Sequence, residues 1–151
     1  MMAKFYTALE GALRADATLV TLTGDNPPND PRIVRGPVGV AARYPCLVFT
    51  DIQSVPAVFD APTLQKDTVI LLQAFSPSSD AGAGAIQIAD RLEALLTARA
   101  KAQNVQYFNI SNSTVKNNWT HWRSRGVLTL DEDRDVWEVA TVADFSWHLS
   151  P

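Results

Sequence analysis

The stretch KDTVILLQAFSPSSDAGAGAIQIADRLEALL, residues 66–96, decides the architecture. Its first part, 66–76, is apolar on both faces, the pattern of a central strand covered on two sides. Turn formers at 76–80 end that run, and the loop closes in a residue suited to cap a helix. Residues 81–100 then place Ala85, Ile88, Ala89, Leu92, Leu95, Leu96 and Arg99 on one stripe. Asp90, Arg91 and Glu93 fall off it, so a long amphipathic helix is predicted. AGAGA, 81–85, lacks the GK[ST] ending of a phosphate loop. Gly82 and Gly84 instead let the helix start pack closely, while its free amides leave room for an anion.

Upstream, residues 2–15 repeat Phe5, Ala8, Leu9, Ala12 and Leu13 at helical spacing. Asp16 reads as the N-cap of a short further turn bearing Leu19 and Leu22, and Gly24 as its stop. Residues 23–31, rich in Pro, Asn and Asp, are a loop. Arg32-Ile33-Val34 is strand-like, 35–45 is a second loop, CLVFTDIQSV, 46–55, is a strand, and 56–65 is a third long connection. Downstream, VQYFNISNSTV, 105–115, reads as a strand and WTHWRSRG, 119–126, as a loop. The remainder reads as a hairpin with an acidic turn. Its last strand alternates: Trp137, Val139, Thr141, Ala143, Phe145, Trp147 and Leu149 share one face, and Glu138, Asp144, Ser146 and His148 the other. The order helix, strands, helix, strands predicts one α+β domain over 1–151. It is a two-layer sandwich with a mostly antiparallel sheet and two main helices on one face.

The chain has 151 residues, 46% hydrophobic and 19% charged, an ordinary globular balance. No apolar run reaches the length of a membrane span, and the N-terminus is a poor signal peptide. Cys46 is the single cysteine, so no intrachain disulfide forms and a reducing cytoplasm is expected. On that basis the N-x-[ST] triplets at Asn109, Asn112 and Asn118 are chance matches rather than glycosylation acceptors. A net charge of −3 argues against a dedicated duplex binder, which needs a basic face.

Catalytic machinery is not legible. Cys46 follows a proline at a strand start and reads as a buried small hydrophobe. His121 and His148 stand in no ligand-spaced cluster, so no zinc site is expected. DEDRD, 131–135, resembles the front of a calcium loop. However, Val136 and Val142 replace the required Gly and Glu, which leaves a solvated turn. No catalytic, metal or cofactor residue is therefore assigned. NNWTHWRSRG, 117–126, is the most site-like stretch, with Trp119, Trp122, His121, Arg123 and Arg125. Three readings stay open for it: an edge of the core, a protein interface anchored by Trp and Arg, or a stacking platform for nucleic acid.

The succession LEGALRADATLVTLTG, a Pro/Gly-rich loop with RIV, YPCLVFTD, FSPSSDAGAGAIQIADRLEALL and the DEDRD turn before the last strand resembles the tail-terminator (tail-completion, head–tail joining) proteins of long-tailed bacteriophages. The resemblance covers nearly the whole chain. Two departures stand out: the DEDRD turn lacks the Gly common there, and the loop before RIV is long. The resemblance implies a structural virion protein, not an enzyme, located at the tail or neck and assembled in the host cytoplasm. It implies a six-fold homo-oligomeric ring that ends tube polymerisation and docks the head connector. Its partners would then be further copies of itself, the tail tube protein and the neck protein. Genomic DNA would pass through the lumen without sequence-specific binding, and no membrane is involved. Candidate interface residues are Trp119, Trp122, Arg123 and Arg125, with Arg35, Val38, Val58 and Phe59 from the long loops and strand edges. A neck or connector protein and a small cytoplasmic α+β binding module are the alternatives.

Overall fold

The structure, a computed structural model, describes residues 2–39, 42–56, 65–97 and 108–150. Helices α1 (Met2–Arg14) and α2 (Ala17–Thr23) lead into strands β1 (Ile33–Arg35), β2 (Cys46–Pro56) and β3 (Lys66–Pro77). A 3-10 turn (Ser78–Asp80) and helix α3 (Ala83–Thr97) follow, then β4 (Val115–Arg125), β5 (Thr129–Asp131) and β6 (Val136–Leu149). The sheet runs β1-β2-β3-β6-β4, with β5 also on β6. Among the described residues only the β1–β2 pair is parallel. This is the expected α+β fold: α1 and α3 are the two main helices, and α2 is the short turn read between Asp16 and Gly24.

The expected alternation of β6 sets the layer boundary. Val139, Thr141, Ala143, Phe145 and Trp147 are buried on the face that meets the helices. Ile70, Leu72 and Ala74 of β3 and Leu47 and Phe49 of β2 extend that face. Against it α1 packs Phe5, Leu9 and Leu13, and α3 packs Ala85, Ile88, Ala89, Leu92 and Leu96. Phe5 stacks on Trp147 with centroids 5.0 Å apart and meets Phe145 edge-on at 5.8 Å. Each aromatic contact of this kind adds about 0.5–1.5 kcal/mol beyond burial alone. Trp147, fully buried, still donates its indole N–H to Thr68 Oγ1 at 2.9 Å. A smaller cluster on the opposite face joins Cys46, Val48, Phe75 and Val136 under Val34, Val38 and Tyr44.

The helix ends follow local chemistry. Asp16 caps α2 by accepting from the Leu19 amide at 2.9 Å, and Gly24, at φ 73°, stops it. Asp16 also takes the Arg91 guanidinium at 2.6 and 3.0 Å, tying α2 to α3. At the start of α3, Asp80 accepts from the amides of Gly82 (2.8 Å) and Gly84 (3.0 Å) and from Ser76 Oγ (3.0 Å). The anion expected at this helix start is therefore the chain's own carboxylate. Gly82 has φ 86°, and a Cβ there would lie 2.5 Å from Leu128. A Cβ on Gly84 would lie 2.9 Å from Ser76 Cβ, so both glycines permit the close approach read from the sequence.

The strand predicted at 105–115 is a correction. Residues 108–114 form no strand, and 105–107 lie outside the described residues, as does Arg99. Asn109 Oδ1 accepts from the Ser111 amide at 2.9 Å, and Asn112 Oδ1 from the Thr114 and Val115 amides at 2.8 Å each. These side-chain turns divert the backbone from a sheet ladder. The strand starts at Val115 and takes in WTHWRSR, which is therefore not the loop expected there.

Candidate interface site

Among the described residues strand β4 pairs with β6 alone, at one end of the sheet. Its polar composition disguised it, because an edge strand with one solvated face needs few apolar residues. Register assigns its faces. Thr120 opposes Phe145 and Trp122 opposes Ala143, so both join the core side. Trp119 opposes Ser146 and His121 opposes Asp144, on the face away from the helices. The register shifts between Trp122 and Ser124, and this bulge leaves Arg123 unpaired while turning Arg125 back toward α3.

The four predicted β4 residues thus separate into two pairs. Trp122 packs against the main core, and Arg125 reaches Asp90 at 2.5 Å and Glu93 at 3.2 Å on α3. This pair fastens the strand to the helix layer, in keeping with the core-edge reading. Trp119 keeps 44% of its surface exposed. Arg123 leans over the open face to Asp144 Oδ2 at 3.3 Å. Arg35 lies at the other end of the sheet, its guanidinium 3.8 Å above the centroid of Tyr6. The Tyr6 hydroxyl in turn donates to Asp51 Oδ1. Val38 packs on the small second cluster. Val58 and Phe59 fall outside the described residues.

Sequence reasoning missed the partners of Trp119 and Arg123. Asp67 and Val69 of β3 and Asp144 of β6 line one recess with them. The signal was present in part: Asp144 is the one acid within the alternating run 139–147, on the face opposite the aromatics. The exposed apolar side chains Ile52, at the β2 bulge, and Val127 were also not singled out.

The remaining chemical candidates are structural. Cys46 is buried, and burial pushes its thiol up to about 12, far from a nucleophile's range. In the acidic turn, Asp131 Oδ1 accepts from the Asp133 and Arg134 amides at 3.1 and 3.2 Å, and Oδ2 takes Arg134 at 2.8 Å. The turn is closed by its own hydrogen bonds. Among the described residues no group of three His, Cys, Asp or Glu converges as metal ligands. No helix among them is long and apolar enough to cross a membrane.

With this geometry in place, comparison with known proteins adds one likeness. No protein-family model and no curated protein matches the chain. Among solved structures, a chain of the "Virion of native gene transfer agent (GTA) particle" superposes with a TM-score of 0.53. The match covers 94% of this chain and 92% of that one at 16% identity. The likeness is one of fold, and it spans nearly the full length of both chains.

Proposed function

We infer that this protein is a structural subunit of a phage-like virion, serving as the terminator ring at the head-proximal end of the tail tube. The observation that carries the reading is the shared fold over almost all of a chain from a gene transfer agent virion. It coincides with the tail-terminator pattern noted in the sequence. The geometry is compatible with a ring. The sheet ends in β1 on one side and β4 on the other, two dissimilar rims suited to head-to-tail association between copies. Trp119 is half-exposed beside the β4 rim, next to the Arg123–Asp144 ion pair, and Arg35 lies on the β1 rim. The ring would meet the tail tube on one side and the head connector on the other. Its net charge of −3 would let DNA pass without a phosphate-gripping surface.

Electron microscopy of particles produced without this protein tests the assignment. Overlong tubes are the expected result. Tubes of normal length beside unjoined heads would instead assign it to the neck, and unchanged infectious particles would refute a virion role. Trp119→Ala combined with Arg123→Ala should lower the yield of completed particles while leaving the isolated chain folded.

A further inference from the structure

The open face of the sheet holds a recess of about 220 Å³ beside the β4 rim. Four adjacent strands build it, through Gln53 of β2, Asp67 and Val69 of β3, Asp144 of β6, and Trp119 and Arg123 of β4. Asp67 and Trp119 both stand opposite Ser146, and Val69 stands opposite Asp144, so these side chains project on the same face. Oδ1 of Asp67 and Oδ1 of Asp144 are buried without a hydrogen-bond partner among the described residues. Asp144 offers only its other oxygen to Arg123. One cation therefore faces two carboxylates. A carboxylate oxygen removed from water without a donor is costly, and native folds keep few such groups. The half-exposed indole of Trp119 borders the same recess and is the strongest aromatic partner for a cation.

We propose that this recess receives the guanidinium or ammonium group of a basic side chain from an adjoining protein subunit, held between the Trp119 indole and the carboxylates of Asp67 and Asp144. The identity of that neighbour as a virion component rests on the function proposed above; the chemistry of the recess does not. Charge complementarity selects the occupant. The named lining groups carry one net negative charge, which an acidic or apolar side chain would leave uncompensated. A planar guanidinium supplies donors to two carboxylates at once while stacking on the ring.

The test titrates the full-length protein with a Gly-Arg-Gly peptide, blocked at both ends, while following the Trp119 indole N–H resonance, assigned by its absence in Trp119→Phe. A saturating shift is expected. Gly-Glu-Gly, or sodium chloride at equal ionic strength, should not produce it. In Asp67→Asn/Asp144→Asn the apparent Kd should rise about tenfold or more, with circular dichroism unchanged. If the double variant fails to fold, Asp67→Asn alone carries the same comparison. No shift in the parent, or an equal shift in the folded variant, overturns the proposal. The virion role is decided separately by particle imaging, so a failed titration counts against the recess alone.

Discussion

Asp25 shows how one side chain holds the N-terminal half together. It is buried and accepts from the Arg32 amide at 2.6 Å, the Ile33 amide at 3.0 Å and Arg14 Nε at 3.0 Å. Burial alone would raise its pKa. The two amides and the Arg14 guanidinium outweigh that effect and hold the carboxyl below its usual range. Asp16 is lowered too, chiefly by its hydrogen bond to Arg91. Because both folded values lie below the unfolded ones, the unfolded chain binds more protons as pH falls. This stabilisation is present above about pH 4 and fades as pH drops through the depressed values. Asp25→Asn should cost about 2–3 kcal/mol at neutral pH and flatten the acid limb, measured by urea unfolding across pH 2–7. Gly82→Ala should cost about 1–3 kcal/mol, from a left-handed backbone and the contact with Leu128, read as a lowered urea midpoint. Cys46 should resist a thiol reagent at pH 8 in the native protein and react at once in denaturant.

At the scale of elements, legibility tracked periodicity. β6 and α3 were readable because each buries one face along its whole length, so the pattern of apolar residues records the layer boundary. The cap and glycines at 80–84 were readable because a strand-to-helix corner needs particular backbone shapes. β4 was not. Its ladder is satisfied on one side by β6, its sequence is polar, and Asn109 and Asn112 divert the chain where β-propensity suggested a strand. The candidate site was legible as a cluster but not as geometry: alternation along β4 parts Trp119 from Trp122, and the bulge at Arg123 turns Arg125 back to the helix side. Trp122→Ala should accordingly cost about 2–4 kcal/mol of stability, whereas Arg125→Ala, a partly solvated ion pair, should cost under about 1 kcal/mol. Thermal melts of both variants test that ordering. Hydrogen exchange gives a second measure. Amides of β3 and β6, flanked by strands on both sides, should exchange slowest, and those of β4 faster.

At the scale of the whole molecule, the fold concentrates its helices on one side of the sheet and leaves on the other a small apolar cluster under Val34, Val38 and Tyr44 and a polar recess. This asymmetry suits a part that must be fixed internally yet meet neighbours on several surfaces. If β4 forms a subunit contact, its fast-exchanging amides should become protected in an assembly containing this protein but not in the free chain. The recess beside it lies where such a contact would cover it.

Asp80 has one further consequence. The positive end of α3 would ordinarily attract any phosphate drifting by, but the chain supplies its own counter-ion there. The Gly82 and Gly84 amides at the corner between β3 and α3 are therefore already taken. A long polyanion sliding past this protein would find no snag at that point.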